Sequence, residues 1–207
     1  MAAENILLRR FEGEKTNMKF YREICLGDGR VCILRSAEEQ DAPELLAYLK
    51  EVARETPYLV SEPEEITLTM EQEKDFIRHQ AEDERAALLM AEIDGTHIGN
   101  CSMNPVGSNI RYRHRCSVAI ALYRQYCGRG IGKMILRELL ALASSCGYEQ
   151  AELEVVTANE RAVHLYESLG FETYGMQKHS MKYKDGSYAD EYLMMKKLSV
   201  DEDPDKR

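Results

Sequence analysis

One stretch constrains the fold more than any other. "RYRHRCSVAIALY" reads as a strand with a polar first half and an apolar second half, and "QYCGRGIGKMIL", Gln125–Leu136, follows it directly. A helix then spans Gly130–Cys146, with Ile131, Ile135, Leu136, Leu139, Leu140 and Ala143 along one side, and Gly147 ends it. "QAELEVV" is the next strand, with Leu153 and Val155 on one face and Glu152, Glu154 and Val156 on the other. A strand–helix–strand unit over 116–156 must close as a right-handed parallel crossover. The chain is therefore an α/β protein whose sheet carries a helix on at least one face.

The turn inside that unit packs Gly128, Gly130 and Gly132 into five positions. Glycine is a poor way to begin a helix that needs only stability. It does let the backbone approach a ligand closely, and the first helical turn offers unpaired N–H groups at a positive dipole end. Such a turn suits an anion, most often phosphate, and Arg129 and Lys133 add formal charge. Glycine at a tight turn can also be geometry alone. Two familiar phosphate loops do not fit. A P-loop needs Ser or Thr after its lysine, and Lys133 is followed by Met134. The dinucleotide fingerprint needs another glycine spacing and a leading βαβ unit.

The other elements follow from spacing and turn chemistry. Residues 19–37 alternate on both sides of Gly27-Asp28-Gly29, a β-hairpin. Asp41 precedes a helix with apolar positions Leu45, Leu46, Leu49, Val52 and Ala53. Pro57 and Pro63 bound a loop, and Thr69 with Gln72 forms a capping box for a helix through Phe76 and Ile77. A hairpin closes at Asp94-Gly95, a short helix occupies "ERAVHLYESL" up to Gly170, and a last strand pair turns at Asp185-Gly186. No repeat or linker divides the chain. We expect an extension at 1–18, one domain at 19–198 and a charged tail at 199–207.

With 207 residues and a net charge of −9, the chain suits one core and argues against broad phosphate neutralisation of a nucleic acid. Its six cysteines form no CxxC pair and no zinc-finger spacing, so no metal site is expected. No apolar run resembles a signal peptide or a membrane span, which leads us to expect a reduced, cytoplasmic protein.

A second motif narrows the reading. "NERAVHLYESLGF", Asn159–Phe171, follows the 150–156 strand. Together with the glycine turn it resembles the acetyl-CoA motifs of the Gcn5-related N-acetyltransferase (GNAT) superfamily, (Q/R)xxGx(G/A) and N-x-x-A-x-x-L-Y-x-x-x-G-F. Asn159, Ala162, Leu165, Tyr166, Gly170 and Phe171 match, and the element order over 19–198 matches too. One departure stands out: in the frame set by Gly130 and Gly132, Cys127 holds the Gln/Arg position. Backbone amides grip the pyrophosphate, so a cysteine there weakens binding without abolishing it. A frame with Gln125, Gly128 and Gly130 moves the helix start by two residues and fits the apolar pattern less well.

The resemblance implies a mixed sheet of about seven strands and about four helices, with the fourth and fifth strands splayed to admit acetyl-CoA. It implies N-acetyl transfer to a primary amine of a small molecule or protein. The alternative is a GNAT-like module that binds acyl-CoA without turnover, and homodimers are common among relatives. By position, Ile120, Ala121 and Leu122 would line the pantetheine, with a backbone N–H near Leu122 polarising the thioester. Gly128, Arg129, Gly130, Ile131, Gly132 and Lys133 would wrap the pyrophosphate. Asn159 would hydrogen-bond pantetheine, and Tyr166 would serve as general acid unless it is a core aromatic. The resemblance points to Glu154 as base; a salt-bridged strand glutamate, a water relay and His114 stay open, and Ser117 is a poor base. Acceptor specificity would sit at 41–80, where Glu51, Glu55, Glu62, Glu64 and Glu65 lie, and at 172–192, with Asp190 and Glu191.

Overall fold

A computed structural model describes residues 19–198; the extension expected at 1–18 and the tail at 199–207 lie outside the described residues. Eight strands form one sheet: β1 (Tyr21–Cys25), β2 (Val31–Ser36), β3 (Ala87–Ile93), β4 (Thr96–Pro105), β5 (Arg115–Leu122), β6 (Gln150–Val156), β7 (Glu172–Lys182) and β8 (Tyr188–Lys197). Their order across the sheet is β1-β2-β3-β4-β5-β6-β8-β7. This is one strand more than the seven expected, because the hairpin over 19–37 supplies two. Only β5 and β6 run parallel, as the crossover through α3 (Ile131–Ser145) requires. The polar half of the 111–123 segment forms a short 3₁₀ turn at Ile110–Tyr112, and the strand proper begins at Arg115.

Alternation in β3 sorts the helices to opposite faces. Leu89, Ala91 and Ile93 join the main core with Ile131, Ile135, Leu136, Leu139, Leu140 and Ala143 of α3. Met90 and Leu88 point the other way, against Ala42 and Leu45 of α1 (Ala42–Glu55) and Ile77 of α2 (Met70–Glu82). The apolar side read for α3 is the buried side. Each of its buried Leu or Ile side chains contributes about 1.5–3 kcal/mol.

Local chemistry fixes the ends. Thr69 and Gln72 form the capping box, with Gln72 N–H donating to Thr69 Oγ1 at 3.3 Å and Thr69 N–H to Gln72 Oε1 at 2.8 Å. Asp41 differs from the simple cap expected. Its carboxylate accepts the Glu38 N–H at 2.7 Å and a two-pronged bond from Arg35 at 2.7 and 3.0 Å, so it ties β2 to the start of α1. Asp94 and Gly95, at φ 52° and 72°, make the tight β3–β4 turn.

Candidate active site

The sheet forks at its centre. Strands β5 and β6 pair at Arg115↔Gln150, Cys116↔Ala151 and Ser117↔Glu152, and the pairing stops there. At the fork, the Arg115 guanidinium grips the Glu152 carboxylate, with its second prong at 2.6 Å, and Gln150 Nε2 donates to the same carboxylate at 2.6 Å. The Arg115 fork holds Glu152 below the ordinary carboxylate range against the opposing effect of burial. This pair pins the crotch of the V.

Past the fork, the main chain of β5 is unzipped on one side. The carbonyls of His114 and Arg115 accept N–H groups from the β6 side and from Val106 beyond β4, respectively. The Tyr123 N–H donates to Ile98 O at 3.0 Å, back toward β4. Alternation therefore turns the N–H and C=O of Val118, Ile120 and Leu122 toward the space that β6 has vacated.

That space is a cleft of about 810 Å³. Ile120, Ala121 and Leu122 line one wall, Glu154 of β6 and Tyr166 of α4 (Glu160–Glu167) line others, and Gly128, Gly130, Gly132 and Lys133 form one end. The α1–α2 loop straps both sides. Glu55 accepts the Arg124 N–H at 2.7 Å, and the Tyr58 hydroxyl donates to Ala158 O at 3.3 Å across the fork. Among the described residues, no protein acceptor takes the main-chain N–H of residues 128–133. Gly128 and Gly130 hold φ 74° and 77°, and α3 starts at Ile131, in line with the frame set by Gly130 and Gly132. The Cys127 thiol lies 3.7 Å from the carbonyls of Leu122 and Tyr123 and secures the loop to the end of β5.

Most of the expected residues converge, with distinctions. The Ile131 side chain is buried in the core, so only its main chain faces the turn, and Arg129 is exposed outside the cleft lining. Asn159 caps α4 by accepting the Ala162 N–H at 3.3 Å. Its amide NH₂ keeps both donors for the cleft. Tyr166 is 7% exposed and packs edge-on to Phe171 at 5.8 Å. Burial pushes its phenol up to about 12, so it stays protonated. Glu154 is exposed into the cleft, unlike Glu152 two residues before it. His114 and Ser117 stand at the paired end of β5, outside the cleft lining.

A second recess of about 750 Å³ adjoins the first and shares Pro57, Tyr58, Val156 and Ala158 with it. Tyr183, Tyr188, His179, Glu62, Lys184 and Asp190 are among its other walls. The glutamates of the 41–80 region are largely engaged: Lys184 bridges Glu62 at 3.2 Å and Glu64 at 2.9 Å, and Glu65 accepts the Glu62 N–H at 2.9 Å. Asp190 accepts the His179 N–H at 2.8 Å. The sequence reading missed Tyr48 and Tyr58, and it placed Glu55 in the acceptor region rather than on the Arg124 N–H, although a tyrosine hydroxyl on the Leu45/Val52 face of α1 was a legible signal. Among the described residues no group of His, Cys, Asp and Glu could hold a metal ion, and no helix is long and apolar enough to cross a membrane.

Known proteins share this arrangement. An acetyltransferase of the GNAT family from Streptococcus pneumoniae superposes with a TM-score of 0.77 at 32% identity, covering 81% of this chain and 99% of its own. A ribosomal-protein-alanine N-acetyltransferase from Brucella melitensis gives a TM-score of 0.71 at 25% identity, covering 80% and 99%. The N-alpha-acetyltransferase RimI of Mycobacterium tuberculosis is 35% identical over 104 residues, 50% of this chain and 61% of its own length. An uncharacterized protein of Mycobacterium leprae is 45% identical over 75 residues, only 19% of its length. The profile of the acetyltransferase (GNAT) family matches residues 46–171, from α1 through the glycine turn and the fork to Phe171. Fold, forked sheet and family profile agree over the same residues: the chain belongs to the acetyltransferase (GNAT) family.

Proposed function

We propose that this protein transfers the acetyl group of acetyl-CoA to a primary amine that enters through the second recess. One observation carries the reading: a strand edge at 118–122 that β6 leaves unpaired and the main-chain N–H groups of the 128–133 turn, which find no main-chain acceptor among the described residues, border one cleft, opposite Glu154 and Tyr166. The amides and the Lys133 ammonium suit a diphosphate. The β5 edge suits an amide-bearing arm laid down as a substitute strand, with the Asn159 NH₂ supplying a further donor.

The chemistry then divides among the residues at the fork. A free main-chain N–H of β5 near Leu122 donates to the thioester oxygen as it gains negative charge. Glu154 takes a proton from the incoming ammonium, directly or through water, which frees the amine to attack. Tyr166 donates a hydrogen bond to the departing sulfur. A thiol of ordinary pKa near 8.5 lies about three units below this phenol, so complete proton transfer to the thiolate would cost about 4–5 kcal/mol. Tyr166 therefore serves the thiolate mainly as a hydrogen-bond donor, and the proton the sulfur finally takes is the one the attacking nitrogen sheds as the tetrahedral intermediate collapses to the amide.

The recess supports a cationic acceptor, since tyrosine rings and carboxylates outnumber its cations. The test is thiol release from acetyl-CoA with three acceptor sets: peptides with free N-termini, free amino acids and polyamines. Amine-dependent release is the expected result. Binding of acetyl-CoA with no release from any set would make the protein a non-catalytic acyl-CoA module.

A further inference from the structure

Strand register fixes which end of α4 faces which end of the cleft. β6 makes its last rung with β5 at Glu152 and ends at Val156, at the open end of the fork. The chain then turns back. β7 begins at Glu172, which pairs with Met195, and Met195 in turn pairs with Glu152. Helix α4 therefore runs from the mouth of the cleft to the level of the crotch. Helix α3 does the same: it follows the end of β5 at Leu122 and leads to Gln150, the partner of Arg115. The first turns of both helices thus lie at the mouth. A methyl group at Gly132 would meet Leu165 Cδ2 at 3.6 Å, which sets α4 directly against the glycine turn. Arg161 stands four residues before Leu165, on the same face of α4 and about 6 Å nearer the mouth.

Arg161 and Lys133 both line the cleft. Among the described residues, neither has an ion pair or a side-chain hydrogen bond. Glu160 also borders the cleft, yet it does not pair with Arg161, because successive residues of a helix do not face each other. Two unpaired cations at one mouth, in a chain of net charge −9, suit an anionic ligand. Acetyl-CoA brings two anionic groups, the diphosphate and, on the adenosine ribose beyond it, a 3′-phosphate. The 128–133 amides and Lys133 suit the diphosphate. The 3′-phosphate is a dianion above about pH 6 and lies farther from the thioester, hence nearer the mouth. Arg161 is a free guanidinium at that level, able to grip a phosphate with two prongs, and the positive end of α4 lies beside it. We propose that Arg161 binds the 3′-phosphate of acetyl-CoA and makes the cleft selective for this cofactor over its 3′-dephospho form. This rests on the acetyl-CoA reading above. A merely solvated arginine would leave the two forms bound alike.

The test needs neither an acceptor nor turnover. Acetyl-CoA and 3′-dephospho-acetyl-CoA are each titrated calorimetrically into the full chain. The wild type should bind acetyl-CoA about 10–30-fold more tightly than the dephospho form. Arg161 is exposed, so replacing it leaves the core intact. Arg161→Met should weaken acetyl-CoA about tenfold and leave the dephospho form within about twofold, so that the two affinities converge. Arg161→Lys keeps the charge without the fork and should fall between wild type and Arg161→Met. Arg111→Met removes the same charge from an exposed turn outside the cleft lining and should keep the wild-type ratio. Salt at about 0.5 M should narrow the wild-type ratio and leave that of Arg161→Met unchanged. A wild-type ratio within about threefold, or a full ratio that survives in Arg161→Met, overturns the inference. Binding of neither form by the wild type overturns the acetyl-CoA reading itself, and the inference with it.

Discussion

Two glycines at opposite ends of α3 offer a controlled experiment. Gly130 starts the helix at φ 77°, and Gly147 follows its end at φ 81°. A methyl group at either position would meet no protein atom within 4 Å. Alanine therefore costs each site the same quantity, the strain of a left-handed backbone, about 1–2 kcal/mol. In a domain of this size that lowers Tm by about 2–8 °C for each variant. The two differ in one respect: Gly130 lies among the unpaired amides of 128–133 and lines the cleft, whereas Gly147 does not. A Cβ at Gly130 intrudes where a diphosphate would lie against the backbone. Loss of two charge-assisted hydrogen bonds, at about 1.5–3 kcal/mol each, weakens acetyl-CoA binding by about 10²–10⁴-fold. Gly147→Ala should leave that affinity unchanged. Calorimetric titration with acetyl-CoA, paired with thermal melts, separates the effects. Matched melts with matched affinities would refute the claim that these amides hold the diphosphate.

The other predictions address the fork. Tyr166→Phe should lower turnover about tenfold or more with little change in acetyl-CoA affinity, measured as kcat against a binding titration; an unchanged kcat removes Tyr166 from the reaction. Glu154→Gln should cost most at low pH and be relieved as pH rises toward the acceptor's own pKa, where the free amine needs no base; a constant ratio to wild type across the pH–rate profile assigns the proton to solvent. Glu152→Gln should cost about 1–3 kcal/mol by denaturant melts near neutrality, since it leaves the Arg115 guanidinium without its carboxylate. Glu152 is held low in the folded state, so its contribution is full above the unfolded carboxylate pKa near 4.3 and is lost as pH falls through the folded value. The difference between wild type and Glu152→Gln should accordingly shrink below about pH 4; a constant gap down to pH 3 rules the ion pair out as its source.

The sequence and the structure agree most closely where the signal was periodic or local. The α3 face, the Thr69–Gln72 box and the Asp94-Gly95 turn each depend on residues a few positions apart, and each formed as read. Asp41 is a case where local reading fell short. Its carboxylate turns to Arg35 on β2 and to the Glu38 N–H rather than capping α1, because a guanidinium brought alongside by folding competes for it. The two glutamates of β6 make the same point. Glu152 and Glu154 share a face by alternation, yet one is locked to Arg115 and the other opens to the cleft, because the neighbouring strand leaves between them.

Taken alone, the chain's order of residues determined the crossover, the glycine turn and the Asn159–Phe171 motif, since hydrophobic period, turn chemistry and motif spacing are properties of nearby positions. Folding in three dimensions decided where β5 and β6 part company, that β8 inserts between β6 and β7, and that Tyr48 reaches Ala121 across 73 positions of sequence. The β5 main chain beyond Ser117 is free of β6 because the two strands diverge, and that divergence is set by contacts between distant segments, which no local pattern encodes.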